Sequence, residues 1–388
     1  MSLPAFLSVG ASLRLPLRAA LRALLRFATL LQKKGACRRR VPACSRPRIL
    51  IAMSNIPASD NGTFLWMTYQ AMSKAGLDCA AIFASVGMPD EPPDQSQRRI
   101  NSPQRRFWAA AEQVSGDTDI GLRIGSMLPA WRGQVLEYLF LSSPTFGAGL
   151  ERALRYSRLM TDAMQLQLRV EDDRAILSGL SHPVRHYLEC ATCIILRFLR
   201  QVSDGDFQPH HIQFEYTEGA STALYDSVYR CPVVLGAEEG AVVFPAALLD
   251  RPSPAAEPEL LVVHEKLALQ KMADLARQDF LLTLERELGS LLEQGDASVD
   301  ALAARVGRKP RALRAELDEA GTSFKQLLAG YRERLSRRLL ARTQEPIDQI
   351  LYLTGFSEPA AFTRAFKRWT GETPSAYRKR KQLENPDS

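Results

Sequence analysis

The segment GFSEPAAFTRAFKRWTGETPSAYRKR, from Gly355 to Arg380, puts five aromatic residues and six Lys or Arg into 26 positions. Few folds accept that mixture, because the rings must leave water while the cations must stay in it. A helical period separates the two. Phe362, Phe366 and Trp369 fall at i, i+4 and i+7 and draw one apolar stripe, while Thr363, Arg364, Lys367 and Arg368 lie on other faces. Ser357 or Glu358 suits the N-cap, Pro359 the first turn and Gly371 the stop, so the spacing predicts a helix over about 359–370. Upstream, Ile347, Ile350, Leu351 and Leu353 form another apolar helix face that ends at Gly355. Helix, glycine turn, helix with a basic outer face is the arrangement that lays its second helix in a DNA major groove. Taken alone, the segment fits an amphipathic helix with a solvated basic face equally well.

The same pattern occurs 48 residues earlier, measured from Gly307 to Gly355. In VDALAARVGRKPRALRAELDEAG, Val299, Leu302, Ala303 and Val306 form an apolar face and Gly307 makes the turn. Pro310 opens the next helix, which Leu313 and Leu317 bury. Between the copies, SFKQLLAGYRERLSRRLLAR carries Phe324, Leu327, Leu328, Tyr331, Leu335 and Leu339 on one side and Arg332, Arg334, Arg337 and Arg338 opposite. That stretch makes a rod of about 30 Å, and successive major grooves on one DNA face lie about 34 Å apart. One chain can therefore place two reading helices in adjacent grooves.

Residues 298–381 resemble the DNA-binding domain of the AraC/XylS transcriptional regulators, most specifically in GFSEPAAFTRAFKRWTGETPSAYR. The resemblance implies base readers near the start and middle of each reading helix. These positions fall on Arg311, Arg314 and Ala315 in the first unit and on Thr363 and Arg364, beside Pro359 and Ala360, in the second. It implies DNA-backbone contacts at Lys309, Lys367 and Arg368. The domain core is expected at Gly307, Leu313, Leu317, Gly355, Phe356, Phe362, Phe366, Trp369, Pro374 and Tyr377. The chain departs from the family pattern in places. Ala315 stands where a cation or polar group is frequent, Glu316 where a basic residue is frequent, Lys309 at the usual Ser cap, and Leu351 where Ala is usual. Pro359 and Ala360 have no side-chain donors and offer at most apolar contact with thymine methyls. Base reading is therefore expected mainly from Arg311 and Arg314, with the second unit holding the DNA backbone.

Charge divides the chain in the same way. The whole sequence is +7, yet residues 298–381 hold 18 Lys or Arg against 9 Asp or Glu, while residues 61–297 hold 21 against 31. An acidic body with a basic C-terminal block is a two-domain plan. In the body, residues 62–127 read as helices, and Ser143 and Pro144 open another. MQLQLRVEDDRAILSGL alternates around Asp172 and Asp173 as a hairpin, YLECATCIILRFLR is an apolar helix, and HHIQFEY, CPVVLG and GAVVFP are short strands. The stretch from Pro258 onward is helical. The fold class is α+β and mostly helical: a mixed α/β sensor followed by an all-α domain with two helix-turn-helix units on a long helix. LEYLFLSSPTFGAGLERALRYSRLMTDAMQLQLRVEDDRAILSG and YRCPVVLGAEEGAVVFPAALLDRP resemble the arabinose-binding-type N-terminal domain of the ornithine-utilisation-regulator type within the same family. That module is implied to sense a small molecule or to dimerise the protein, without naming the ligand.

Other chemistry is weakly signalled. Cys190 and Cys193 lie in an apolar run without a second cysteine pair, which fits buried structural thiols. His210 and His211 open a strand and face opposite ways, and Asp172 and Asp173 suit a turn. Neither a metal nor a cofactor is expected, and no apolar run is long enough to span a membrane. A cysteine-dependent DNA-repair methyltransferase joined to the same DNA-binding domain is the enzyme alternative, and a constitutive DNA-binding protein without an effector is the other. The expected organisation is a sensing or dimerising domain over 62–260, a helical linker over 261–297, the DNA-binding domain over 298–381 and a tail over 382–388. A cytoplasmic regulator of this kind implies an operator in double-stranded DNA, RNA polymerase, an unidentified small-molecule effector and a homodimer as partners. Activation is the expected mode.

Residues 1–52 contain eleven Lys or Arg and no acid, with Arg14, Arg18, Arg22 and Arg26 recurring every four residues. Transit peptides and membrane-surface helices share that composition. Because the resemblance begins after Met53, the expectation is that Met53 is the true start and that this leader is an over-extended reading frame, with a disordered basic arm over 1–61 as the alternative.

Overall fold

The structure, a computed structural model, describes residues 57–384. The basic leader, the start proposed at Met53 and the extreme C-terminus lie outside the described residues. The chain forms two compact units divided between Asp279 and Phe280.

The first unit opens with β1 (Ser59–Asp60) and helices α1 (Gly62–Lys74) and α2 (Cys79–Ala84), then β2 (Arg99–Ile100) and helices α3 (Gln104–Ser115), α4 (Ile120–Met127), α5 (Val135–Leu141) and α6 (Phe146–Arg155). The hairpin β3 (Gln167–Glu171) and β4 (Arg174–Ser178) precedes the long helix α7 (Arg185–Val202). Then come β5 (His211–Phe214), α8 (Thr222–Tyr229), β6 (Val233–Leu235) and β7 (Ala241–Pro245). Strands order as β3-β4-β7-β5-β6, antiparallel except for β5 beside β6. A parallel pair needs a crossover, and α8 supplies it. The hairpin turns at Asp172, whose φ of 54° is the left-handed conformation that short polar side chains tolerate.

Two glycines set the closest helix pairing. A Cβ on Gly121 would sit 2.4 Å from His186 Cα, and one on Gly125 would sit 2.5 Å from Cys193 Sγ, so α4 reaches α7 only where α4 has no side chain. Where the short pair β1–β2 lies against the core, the buried carboxylate of Asp60 accepts from Thr161 Oγ1, Tyr187 OH and Asn101 Nδ2, each at 2.7 Å. Hydrogen bonds of this kind replace the water a buried charge has lost. Glu189, also buried, accepts from Tyr225 OH at 2.6 Å and Tyr216 OH at 3.2 Å, and burial raises its pKa. The pair β1–β2 interrupts the helices expected over 62–127. Ser143 is not the cap of α6. Its hydroxyl donates to the Leu139 carbonyl at 2.7 Å, and Thr145 caps the helix instead, accepting from Ala148 N.

Helix α9 (Pro258–Glu293) crosses the boundary between the units. In the first unit Leu261, Ala268 and Met272 pack on the core. In the second, Leu284, Leu288, Leu291 and Leu292 form a cluster with Leu302, Ala303, Leu313, Leu317 and Leu327. The end of the expected linker is thus part of the second unit's core, because its leucines recur at the helical period. The rest of that unit is α10 (Val299–Arg305), α11 (Pro310–Glu319), α12 (Phe324–Arg342), α13 (Ile347–Leu353), α14 (Pro359–Thr370) and α15 (Pro374–Glu384). A separate cluster joins Leu340, Ile350, Leu351, Phe362, Phe366 and Tyr377.

The arginines of α12 do not share one outward face. Arg332 is half-buried, donates to the Gly355 carbonyl at 2.6 Å and lies over the Phe356 ring at 4.6 Å. Arg337 donates to the Trp369 carbonyl at 3.1 Å, and Arg334 pairs with Glu285. Arg338 alone of the four stays exposed without an ion pair among the described residues. The apolar stripe is narrower than the helix's buried surface, so neighbouring cations turn inward to satisfy carbonyls.

Two tests follow from this packing. A fragment of residues 298–388 should melt well below one of residues 280–388, since it loses the four leucines that complete the first cluster; circular dichroism melts of both fragments compare them. Arg332→Lys should lower the stability of the longer fragment by about 1–2 kcal/mol, because an ammonium cannot both stack on Phe356 and reach the Gly355 carbonyl in the plane of a guanidinium. Chemical denaturation measures that loss.

Candidate nucleic-acid interface

Each helix-turn-helix is fixed by its turn and by what its second helix buries. Ser298 caps α10, and Gly307, at φ 65°, makes the turn into α11. Gly355, at φ 71°, makes the turn into α14, and a Cβ there would meet Leu292 Cδ2 at 2.5 Å. Glycine is required at Gly355 for both conformation and room. Pro310 and Pro359 open the reading helices, and neither Lys309 nor Glu358 makes a side-chain cap. Gly371, at φ 82°, stops α14.

Helix α11 buries Leu313 and Leu317 completely, which leaves Arg311, Arg314 and Ala315 exposed. Helix α14 buries Phe362 and Phe366 and exposes Arg364, Lys367 and Arg368, with Thr363 half-buried between the faces. Edge-to-face contacts hold the angle of α14: Phe356 against Phe362 at 5.5 Å and Phe366 against Tyr377 at 5.4 Å. Pro374 is buried at the start of α15. Trp369 is half-buried on the margin of the aromatic cluster, 6.2 Å from Phe356.

Some cations of this unit are held by glutamates and others are not. Arg308 pairs with Glu316 at 3.2 Å, Arg334 with Glu285, Arg337 with Glu333, and Arg380 with Glu372. Lys309, Arg311, Arg314, Arg364, Lys367 and Arg368 make no ion pair among the described residues, and all are exposed. Arg308 engages Glu316 on α11, whereas Asp318 and Glu319 of the same helix are exposed and make no ion pair among the described residues. These six sit on or beside the reading helices, where cations can meet phosphates and base edges without first breaking an ion pair.

Helix α12 connects the two readers. Leu327 lies in the cluster under α11 and Leu340 in the cluster under α14, about 20 Å apart along the helix. Sequence spacing missed the inward role of Arg332. In the chain it looks like Arg338, and only the position of Phe356 separates them.

Residues 76–253 match the arabinose-binding N-terminal domain of AraC transcription regulators, and residues 302–380 match a helix-turn-helix domain. The ornithine utilization regulator of Pseudomonas aeruginosa is 28% identical over 314 residues, covering 79% of this chain and 92% of that protein. The HTH-type transcriptional regulator VirS of Mycobacterium tuberculosis is 26% identical over 332 residues, covering 81% and 95%. The transcriptional activator NphR of a Rhodococcus species is 28% identical over 115 residues, covering 30% and 34%. Among solved structures, the regulator CdpR of Pseudomonas aeruginosa aligns over 81% of this chain and 98% of its own at 18% identity, with a TM-score of 0.37. With a sensor-type domain ahead of two helix-turn-helix units, the chain belongs to the AraC family of transcription regulators, DNA-binding proteins that respond to a small-molecule effector.

Proposed function

We propose that the protein is a cytoplasmic transcription activator that binds its operator as a homodimer, contacts RNA polymerase and is governed by a small-molecule effector held in residues 57–279. In this reading Arg311 and Arg314 read bases, with Ala315, Thr363 and Arg364 completing the base-facing set. Lys309, Lys367 and Arg368 hold phosphates. The observation that carries it is that Lys309, Arg311, Arg314, Arg364, Lys367 and Arg368, the cations on or beside the reading helices, are exposed and make no ion pair among the described residues. Activation is supported by the likeness to NphR, itself a transcriptional activator. A regulator is favoured over a methyltransferase by the thiols among the described residues. Cys79, Cys190, Cys193 and Cys231 are all buried, and burial pushes each above its usual range, Cys231 to about 11. A nucleophilic cysteine needs the opposite shift. Among the described residues no helix is long and apolar enough to cross a membrane.

A dimer is supported by α9, which exposes Leu260, Val262, Val263, Leu267 and Leu269, with Val262 at 69% and Val263 at 59%. Apolar side chains gathered on one solvent-facing segment mark an association surface. Val262→Asp combined with Val263→Asp should therefore shift the protein from dimer to monomer in sedimentation velocity without lowering its melting temperature. A wild-type protein that sediments as a monomer at micromolar concentration would remove the homodimer from the proposal.

Base reading has a sharper test. Arg311→Ala and Arg314→Ala should each cost about 1–3 kcal/mol on the cognate operator and relax the preference at one base pair. Lys367→Ala should weaken binding to all sequences alike and reduce the salt slope by about one unit. Equal losses on operator and scrambled DNA for both arginine variants would reassign them to the backbone.

A further inference from the structure

The first unit is acidic over most of its sequence, yet one cleft in it is lined by arginine. Arg132, Arg197, Arg200 and Arg230 surround a volume of about 510 Å³ together with Gln201 and Ser227, and neither Asp nor Glu is in the lining. Small-molecule sites fall in the range of roughly 300–1,000 Å³. None of the four arginines makes an ion pair among the described residues. Their recorded partners are main-chain carbonyls. Arg197 donates to those of Leu128 and, at 3.4 Å, Ser126, and Arg200 donates to that of Tyr229. These bonds orient the guanidinium groups and use only part of their donors. The Nε of Arg200 is buried with no acceptor at all, a donor left unsatisfied where water is largely excluded. Glu137, the buried carboxylate to which Gln201 of the lining donates, is also held by the Gly133 amide.

Arg230 adds an independent observation. It follows the last residue of α8 with φ 58° and ψ 36°, the left-handed conformation that glycine adopts freely and a long side chain does not. An arginine at a glycine position adds strain at the mouth of the cleft. Burial, then the charge of Arg230, lower the pKa of Arg200, so the two cations disfavour one another as they stand. Strain and like-charge crowding persist where a ligand offsets them.

We propose that this cleft binds a small anion carrying at least two carboxylate or phosphate groups, and that this anion is the effector of the regulator. The second half of the proposal rests on the reading of residues 57–279 as the sensor. Half-buried Arg200 with Arg197 would take one anionic group, and Arg230 with Arg132 a second, each through charge-assisted hydrogen bonds.

The test uses the full-length protein, citrate and inorganic pyrophosphate as probes, and sodium chloride at matched ionic strength. Melting temperature should rise saturably with citrate or pyrophosphate beyond the chloride control, and the better probe separates carboxylate from phosphate recognition. Arg230→Gly is the informative variant. It relieves the left-handed strain, so it should melt no lower than the parent without ligand, while its apparent affinity for the probe falls about tenfold or more. A purely structural Arg230 would give a lower melting temperature and unchanged affinity, which overturns the proposal. So would the absence of any gain beyond chloride, or an undiminished gain in Arg230→Gly. A gain that depends on Arg230 but leaves affinity for the protein's own upstream DNA unchanged upholds the site and removes its role as effector.

Discussion

The guanidinium of Arg332, set on the Gly355 carbonyl and the Phe356 ring, is the joint on which the DNA-binding unit depends. Two reading helices act on one duplex only if the rod between them is fixed at both ends. At the first end α12 is held by an apolar cluster that includes the leucines of α9. At the second, Leu340 lies in the other cluster, while midway along the rod Arg332 clamps the turn that launches α14 and Leu292 closes on the same glycine. A side chain at Gly355 would be strained by its left-handed backbone and would displace Leu292, so the geometry of the second reader is set by backbone and by its neighbours. A planar group that donates and stacks at once suits that task.

Much of this was legible in the sequence, for a physical reason. Helix period, glycine turns and proline starts are local signals, and Phe362, Phe366, Leu313 and Leu317 fall inside as their spacing demands. Local signals also carried α7 and the hairpin at Asp172. What was not legible depended on partners distant in the chain. Ser143 and Thr145 are both plausible caps by residue type, and the carbonyl of Leu139 decides between them. Arg332 and Arg338 are alike until Phe356 is placed. The strands β1 and β2 hold two residues each, too few to show any period. The buried Asp60 and Glu189 carry no sequence mark at all, because what makes them stable is a ring of hydroxyls and amides drawn from five or more other segments.

The same distinction between engaged and free cations organises both units. In the DNA-binding unit, glutamates engage Arg308, Arg334, Arg337 and Arg380, while the cations on the reading faces make no ion pair among the described residues. In the sensor unit, most arginines near carboxylates are paired, as Arg98 and Arg158 are with Asp162, while those of one cleft are not. Net charge alone, positive in one unit and negative in the other, hides this second positive site.

The two clusters strung along α12 have a consequence for how the DNA-binding unit comes apart. One holds nine buried residues and the other six, with no buried apolar residue shared between them. Small cores joined along one helix, with Leu292 against the Gly355 turn as a further contact between them, open at free energies below that of the whole. Amide hydrogens of α13 and α14 would then exchange as one group and those of α10 and α11 as another, with the middle of α12 following whichever end persists. Free in solution, such a protein spends part of its time with one reader formed and the other frayed. A duplex that engages both grooves couples the two groups, so ordering of the weaker reader becomes part of recognition itself.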